Sequence, residues 1–132
     1  MRQERGSIAV EAVVLAPVFV LFLVFVVYVG RITGVQQDLH SAADVAARTA
    51  SQSRAESMVA RGNQSAELAM SVSRTSCTDF KVRVTRRVTA GMSEVEVETE
   101  CRIDVLGLSI LGIQSPLLSG RSREVIDVYR HP

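Results

Sequence analysis

The sequence predicts an α+β chain: a long N-terminal helix, transmembrane and then amphipathic, followed by a small C-terminal antiparallel sheet of about three strands. Three observations predict it. Residues 12–30 carry no charged side chain, apolar residues recur every three or four positions from Ile32 to Ala50, and two stretches after Cys77 alternate apolar with charged residues. With some two dozen of the 132 residues in the apolar run, roughly 100 remain, enough for one small domain and not two.

The apolar run comes first. At 1.5 Å rise per residue, about 20 apolar residues cover a hydrocarbon core of about 30 Å, so 7–30 reads as a membrane-spanning helix. A secretory signal peptide has a shorter apolar region, about 7–15 residues, and a small-residue cleavage site behind it; here the run is longer and Arg31 and Ile32 continue the helix. A buried core helix needs a larger domain around it than this chain supplies. Pro17 is expected to kink or locally open the helix, because it removes a backbone donor. Gly30 and Gly34 form a weak GxxxG spacing. Arg2 and Arg5 before the run against Arg31 after it favour a cytoplasmic N-terminus slightly. Two cysteines placed after the run agree, since disulfides persist outside the cytosol.

Glu11 interrupts the apolar pattern. A carboxylate deep in a bilayer costs on the order of 3 kcal/mol, and such residues are functional candidates. Two readings stand. Glu11 sits near the interface in the first helical turn, where the helix dipole favours a negative charge, or it answers a partner. The residues before it favour the second: residues 1–6 form a short polar leader that ends in Gly6, Ser7 opens the apolar run, and the glutamate is the fifth residue after that glycine. This arrangement resembles the type IV prepilin signal, in which a membrane peptidase cuts after the glycine and leaves the helix in the mature protein. A freed amine at Ser7 would be cationic and Glu11 anionic. A subunit entering a helical filament could then satisfy its neighbour's buried amine with its own Glu11, and the pair would select register more than add stability.

From Ile32 onward, Val35, Leu39, Ala42, Ala43, Ala46 and Ala50 make a thin apolar stripe, while Gln36, Asp38, His40, Asp44 and Arg48 occupy the other sides. His40 reads as a solvated side chain. The stripe suits close helix packing, in a filament core or under the chain's own head. The whole of 31–76 reads as an alanine-rich helical stalk with a break at Arg61, Gly62 and Asn63, and a second helical piece from 64 to 73.

The head, 77–132, turns to strands. Phe80, Val82, Val84 and Val88 alternate with Lys81, Arg83, Thr85 and Arg87, and then Val95, Val97, Cys101, Ile103 and Val105 alternate with Glu96, Glu98, Glu100, Arg102 and Asp104. A turn at Gly91 and Met92 places Phe80 opposite Ile103, Val82 opposite Cys101 and Val88 opposite Val95. The same register sets Arg83 against Glu100 and Arg87 against Glu96, which stabilises the pair modestly. Arg74, Lys81, Arg83, Arg86 and Arg87 form a basic stripe, but the facing acidic row and the lack of interleaved aromatic residues argue for a charge-paired sheet face over a nucleic-acid site. Cys77 and Cys101 would close a loop of about 25 residues, which stabilises by roughly 3 kcal/mol if bridged; two buried thiols are the other reading. Residues 105–118 form an apolar link suited to a sheet edge, a membrane surface or a neighbouring subunit, and 121–129 reads as a third strand.

Net charge is +1, so bulk electrostatics gives no case for nucleic acid. There is no CxxC, no His/Cys cluster, no Gly-rich phosphate loop and no grouping of Ser, His and acidic residues. The expectation is a structural and interaction protein with no enzyme activity, cofactor, metal or small-molecule substrate.

Taken together, the leader ending in Arg5 and Gly6, the apolar run opened by Ser7 and Glu11 and closed by Tyr28, Gly30 and Arg31, the alanine-rich helix, the cysteine-bearing hairpin and the terminal strand ending in Asp127, Tyr129 and Arg130 resemble the TadE-like family, minor pseudopilins of the tight-adherence (Tad, Flp) pilus. Ala12 follows Glu11, where pilin signals often have an aromatic residue. The resemblance implies cleavage between Gly6 and Ser7 by a prepilin peptidase, and contacts with the membrane, other pilin or pseudopilin subunits and the Tad assembly machinery. It also implies a role in initiating or priming a surface fimbria, with the head outside the cytoplasm. The alternative is an uncleaved single-span membrane protein whose head is an extracytoplasmic binding or anchoring module.

Overall fold

The computed structural model describes residues 4–73, 75, 77–103, 112 and 114–126. Two helices precede a three-stranded antiparallel meander: α1 (Glu4–Ser51), α2 (Met58–Val72), β1 (Cys77–Thr89), β2 (Met92–Ile103) and β3 (Leu117–Val125), in the sheet order β1-β2-β3. The chain divides into two compact units, Met1–Gly34 and Val35–Pro132.

The first unit is the N-terminal part of α1. Pro17 lies inside an uninterrupted helical run. Val10, Val13, Phe19, Leu21, Phe22, Phe25 and Val27 are all exposed, on every side of the helix. A helix that is apolar all round belongs inside a large core or in lipid, and nothing in this unit covers it.

The second unit is one two-layer domain. One sheet face, Val95, Val97, Thr99, Cys101 and Ile103, is buried against the helices. Ala43, Ala46, Ala47 and Ala50 of α1, with Met58 and Ala66 of α2, complete the core, and Phe80, Val82, Val84 and Ile126 pack at its margin. The alanine stripe is therefore covered by the chain's own head. Small side chains let the helix axis come close to the sheet. Thr99 Oγ1 donates to the carbonyl of Leu39 at 3.0 Å across the interface, and the Cβ that Gly120 lacks would stand 2.6–2.7 Å from backbone atoms of Leu39 and His40.

Several sequence expectations are corrected. Residues 61–63 do not break the stalk; the chain turns at 52–57, and α2 runs straight through Gly62. That glycine is a packing residue, since a Cβ there would meet Val84 Cγ2 at 2.9 Å and Ala50 Cβ at 3.4 Å. The hairpin turns at Ala90 and Gly91, both with positive φ (52° and 83°), the signature of a two-residue turn whose twist matches the strands. The register is accordingly two residues away from the one expected: Val82 faces Thr99, Arg83 faces Glu98, Arg87 faces Glu94 and Val88 faces Ser93. A shift of two keeps every side chain on its expected face, but Val88, beside the turn, is exposed. A bulge between Thr78 and Lys81, with Asp79 at φ 62°, brings Cys77 opposite Ile103. The third strand begins at Leu117, so Gly120 lies within it and part of the apolar link is strand. Most of that link, Arg74 and the strand end at 127–130 lie outside the described residues.

Candidate functional site

The residues singled out for processing and register, Gly6, Ser7 and Glu11, all fall on α1, in its first two turns. Glu11 is exposed and sits among exposed apolar neighbours, with Val14 and Leu15 one turn on. Among the described residues no basic group lies within ion-pair distance of it. A carboxylate presented from an apolar helix surface can accept hydrogen bonds from a cation carried by another molecule.

The cysteines meet as expected. A disulfide joins Cys77 to Cys101, with Cα atoms 5.7 Å apart, and staples the start of β1 to the core face of β2. His40 is exposed.

The outward sheet face is a charge ladder. Arg87 Nε lies 2.7 Å from Glu96 Oε2, an oblique charge contact, while Arg123 Nη2 and Arg121 Nε lie 3.2 and 3.4 Å from Glu96 Oε1. Arg121 Nη2 donates to Glu98 Oε1 at 2.7 Å, and Arg83 pairs with Glu98 at 3.8 Å. The Arg121 guanidinium, through that hydrogen bond, holds the Glu98 carboxyl below the ordinary glutamate range, and the same bond raises Arg121. Lys81 pairs with Asp79, and Arg86 hydrogen-bonds Ser93. The basic rows of β1 and β3 thus close over the central acidic row of β2.

Sequence pattern missed the centre of this ladder. Glu96 was matched with one arginine, whereas three converge on it and its side chain is only 7 % exposed. The arginines of β3 were in view as a strand, but its register was not, and register decides which guanidinium reaches which carboxylate. Thr99 was likewise unremarked at the helix–sheet seam. Among the described residues no three His, Cys, Asp or Glu side chains gather as a metal site.

α1 carries the decisive likeness. Residues 6–48 match the family model described as TadE-like protein. The TadE-like segment thus begins at Gly6, takes in Ser7 and Glu11, and ends three residues short of the end of α1. It is the family that the sequence resembles, and the likeness covers about a third of the chain. Among the described residues one helix is long and apolar enough to cross a membrane, and the matched segment covers most of it. No curated protein and no solved structure matches the chain.

Proposed function

We propose that the protein is a minor pseudopilin, a structural, assembly or priming subunit of a Tad-type pilus. In this reading residues 7–30 span the membrane, the N-terminus is cytoplasmic and Val35–Pro132 is extracytoplasmic. A prepilin peptidase cuts between Gly6 and Ser7, and Glu11 of one subunit pairs with the freed Ser7 amine of a neighbour, fixing the register between them. The partners are other pilin or pseudopilin subunits and the Tad assembly machinery.

The observation that carries the reading is a carboxylate exposed on an apolar helix, without a cation from its own described residues, five positions after the glycine at which the TadE-like segment begins. A buried ion with no counterion is penalised, so such a subunit has reason to find one.

Two measurements test it. Intact-mass or N-terminal sequencing of the protein from its native membrane is expected to give a chain beginning at Ser7. In the same host, Glu11→Ala is expected to abolish or sharply reduce pilus production. A chain that keeps residues 1–6, or a Glu11→Ala strain that makes pili normally, would replace this reading with an uncleaved membrane-tethered head.

A further inference from the structure

We propose that, while the subunit is in the membrane, one end of its head lies against the outer leaflet, in contact with the boundary between headgroups and acyl chains. The proposal rests on the membrane-anchored reading above and adds a lipid-contact surface to it.

Contacts within Val35–Pro132 mark the two ends of the head. Leu39 lies beside Thr99 and Gly120, whereas Arg48, further along α1, reaches Glu124 at 3.5 Å. Because β2 and β3 are antiparallel, with Thr99 facing Gly120 and Val95 facing Glu124, α1 advances along the sheet toward the hairpin turn. The opposite end of the sheet therefore lies on the Val35 side. It carries Cys77, Ile103 and Leu117, and Thr75, just before β1, hydrogen-bonds Asp38 there. The chain enters the head at Val35, five residues after Gly30, the last residue of the apolar run. Five residues reach at most about 18 Å, so this end is the nearer to the bilayer by chain length alone.

That end exposes apolar side chains from both layers. Val72, the last residue of α2, is 82 % exposed, Leu68 one turn earlier is 60 % exposed, and Leu117, the first residue of β3, is 56 % exposed. The Ile103 N–H donates to the Pro116 carbonyl at 3.3 Å, so the chain leaves β2 and returns to β3 at one place, on this end. Val88, Met92 and Val125 are also exposed at the hairpin end, but they sit beside a two-residue turn and far from the point of chain entry.

Exposed Glu67, beside Leu68, would have to stay among the headgroups, and the other described charges near this end are largely answered. Asp38 is bonded by Thr75, Asp79 pairs with Lys81, and the long stem of exposed Arg102 can lie on apolar surface with its guanidinium among phosphates.

The chain has no tryptophan, so single tryptophans can report depth in the full-length protein. Phe22→Trp, Val72→Trp, Leu117→Trp and Met92→Trp are each reconstituted in phosphatidylcholine–phosphatidylglycerol vesicles, with acyl chains brominated near the glycerol or at mid-chain. The expected result is quenching of position 22 by mid-chain bromine, of positions 72 and 117 by shallow bromine, and none at position 92. Quenching at 22 with none at either 72 or 117 overturns the lipid contact while the span stands. Absence of quenching at 22 overturns the span itself, and the contact with it.

Discussion

Gly120→Ala tests the seam that joins α1 to the sheet. Its new methyl would stand 2.6 Å from the Leu39 carbonyl carbon and 2.7 Å from Leu39 O and His40 N, where an unstrained carbon contact is about 3.5–4.0 Å. All three atoms belong to a helix backbone, which cannot rotate away, so α1 and β3 must part by roughly 1 Å along the seam. Overpacking of this kind costs about 1–3 kcal/mol. Parting also stretches the buried Thr99–Leu39 hydrogen bond, worth about 1 kcal/mol net, although Thr99 keeps the Gly120 carbonyl at 3.3 Å as a second acceptor. Against this, alanine restricts the unfolded chain by about 0.4–1 kcal/mol. The net is a loss of about 2 kcal/mol. In urea, with a slope of about 1–2 kcal/mol/M, the unfolding midpoint of the head falls by about 1–2 M, measured by pulse proteolysis of the full chain in detergent. Gly62→Ala is the control: its methyl meets side-chain atoms of Val84 and Ala50, and a helix gains about 1 kcal/mol from the exchange, so the midpoint should move far less. A Gly120→Ala head as stable as the parent, or one hurt less than Gly62→Ala, refutes the seam.

Further outcomes follow from other parts of the head. Reducing the Cys77–Cys101 bridge, or replacing both cysteines by serine, frees a 24-residue separation and should cost about 3 kcal/mol in the same proteolysis assay; an unchanged midpoint would make the bridge ornamental. Ala90→Asn puts a residue that tolerates positive φ at the first turn position, so it should stabilise by about 0.5–1 kcal/mol, seen as a raised urea midpoint. The Glu98 carboxyl is held below the ordinary glutamate range by Arg121, so its contribution is complete above that range and drains away as pH falls through the lowered folded value. Arg121→Gln should flatten that acid limb of the stability curve, by a modest amount because the pair is partly exposed.

How much of this was legible in the residues depends on which physical signal each element sends. The long helix was plain, because an uncharged run and an alanine stripe hold their meaning without tertiary context. So were the two strands of the hairpin and their faces, since alternation survives a shift of two. The register was not, because alanine at positive φ is uncommon and gives no turn signature, while Gly91 beside Met92 suggested a turn one residue later. Gly62 misled because a glycine reads as punctuation along a chain, whereas Gly62 and Gly120 each mark a place where another element comes too close for a side chain. Only the packed structure supplies that neighbour. At the N-terminus the roles proposed for Gly6, Ser7 and Glu11 rest on spacing alone, and the fold adds only that Glu11 stays uncovered.

The seam between α1 and β3 also decides how the head would bear tension. A pull on α1 at Val35 along its own axis would run along the neighbouring strands, so the two layers would have to slide past each other with Leu39 moving over Gly120 and Arg48 leaving Glu124 together. Contacts loaded side by side yield as a group and not one after another. A domain whose helix lies flat along its sheet is thus suited to stay folded while it is hauled.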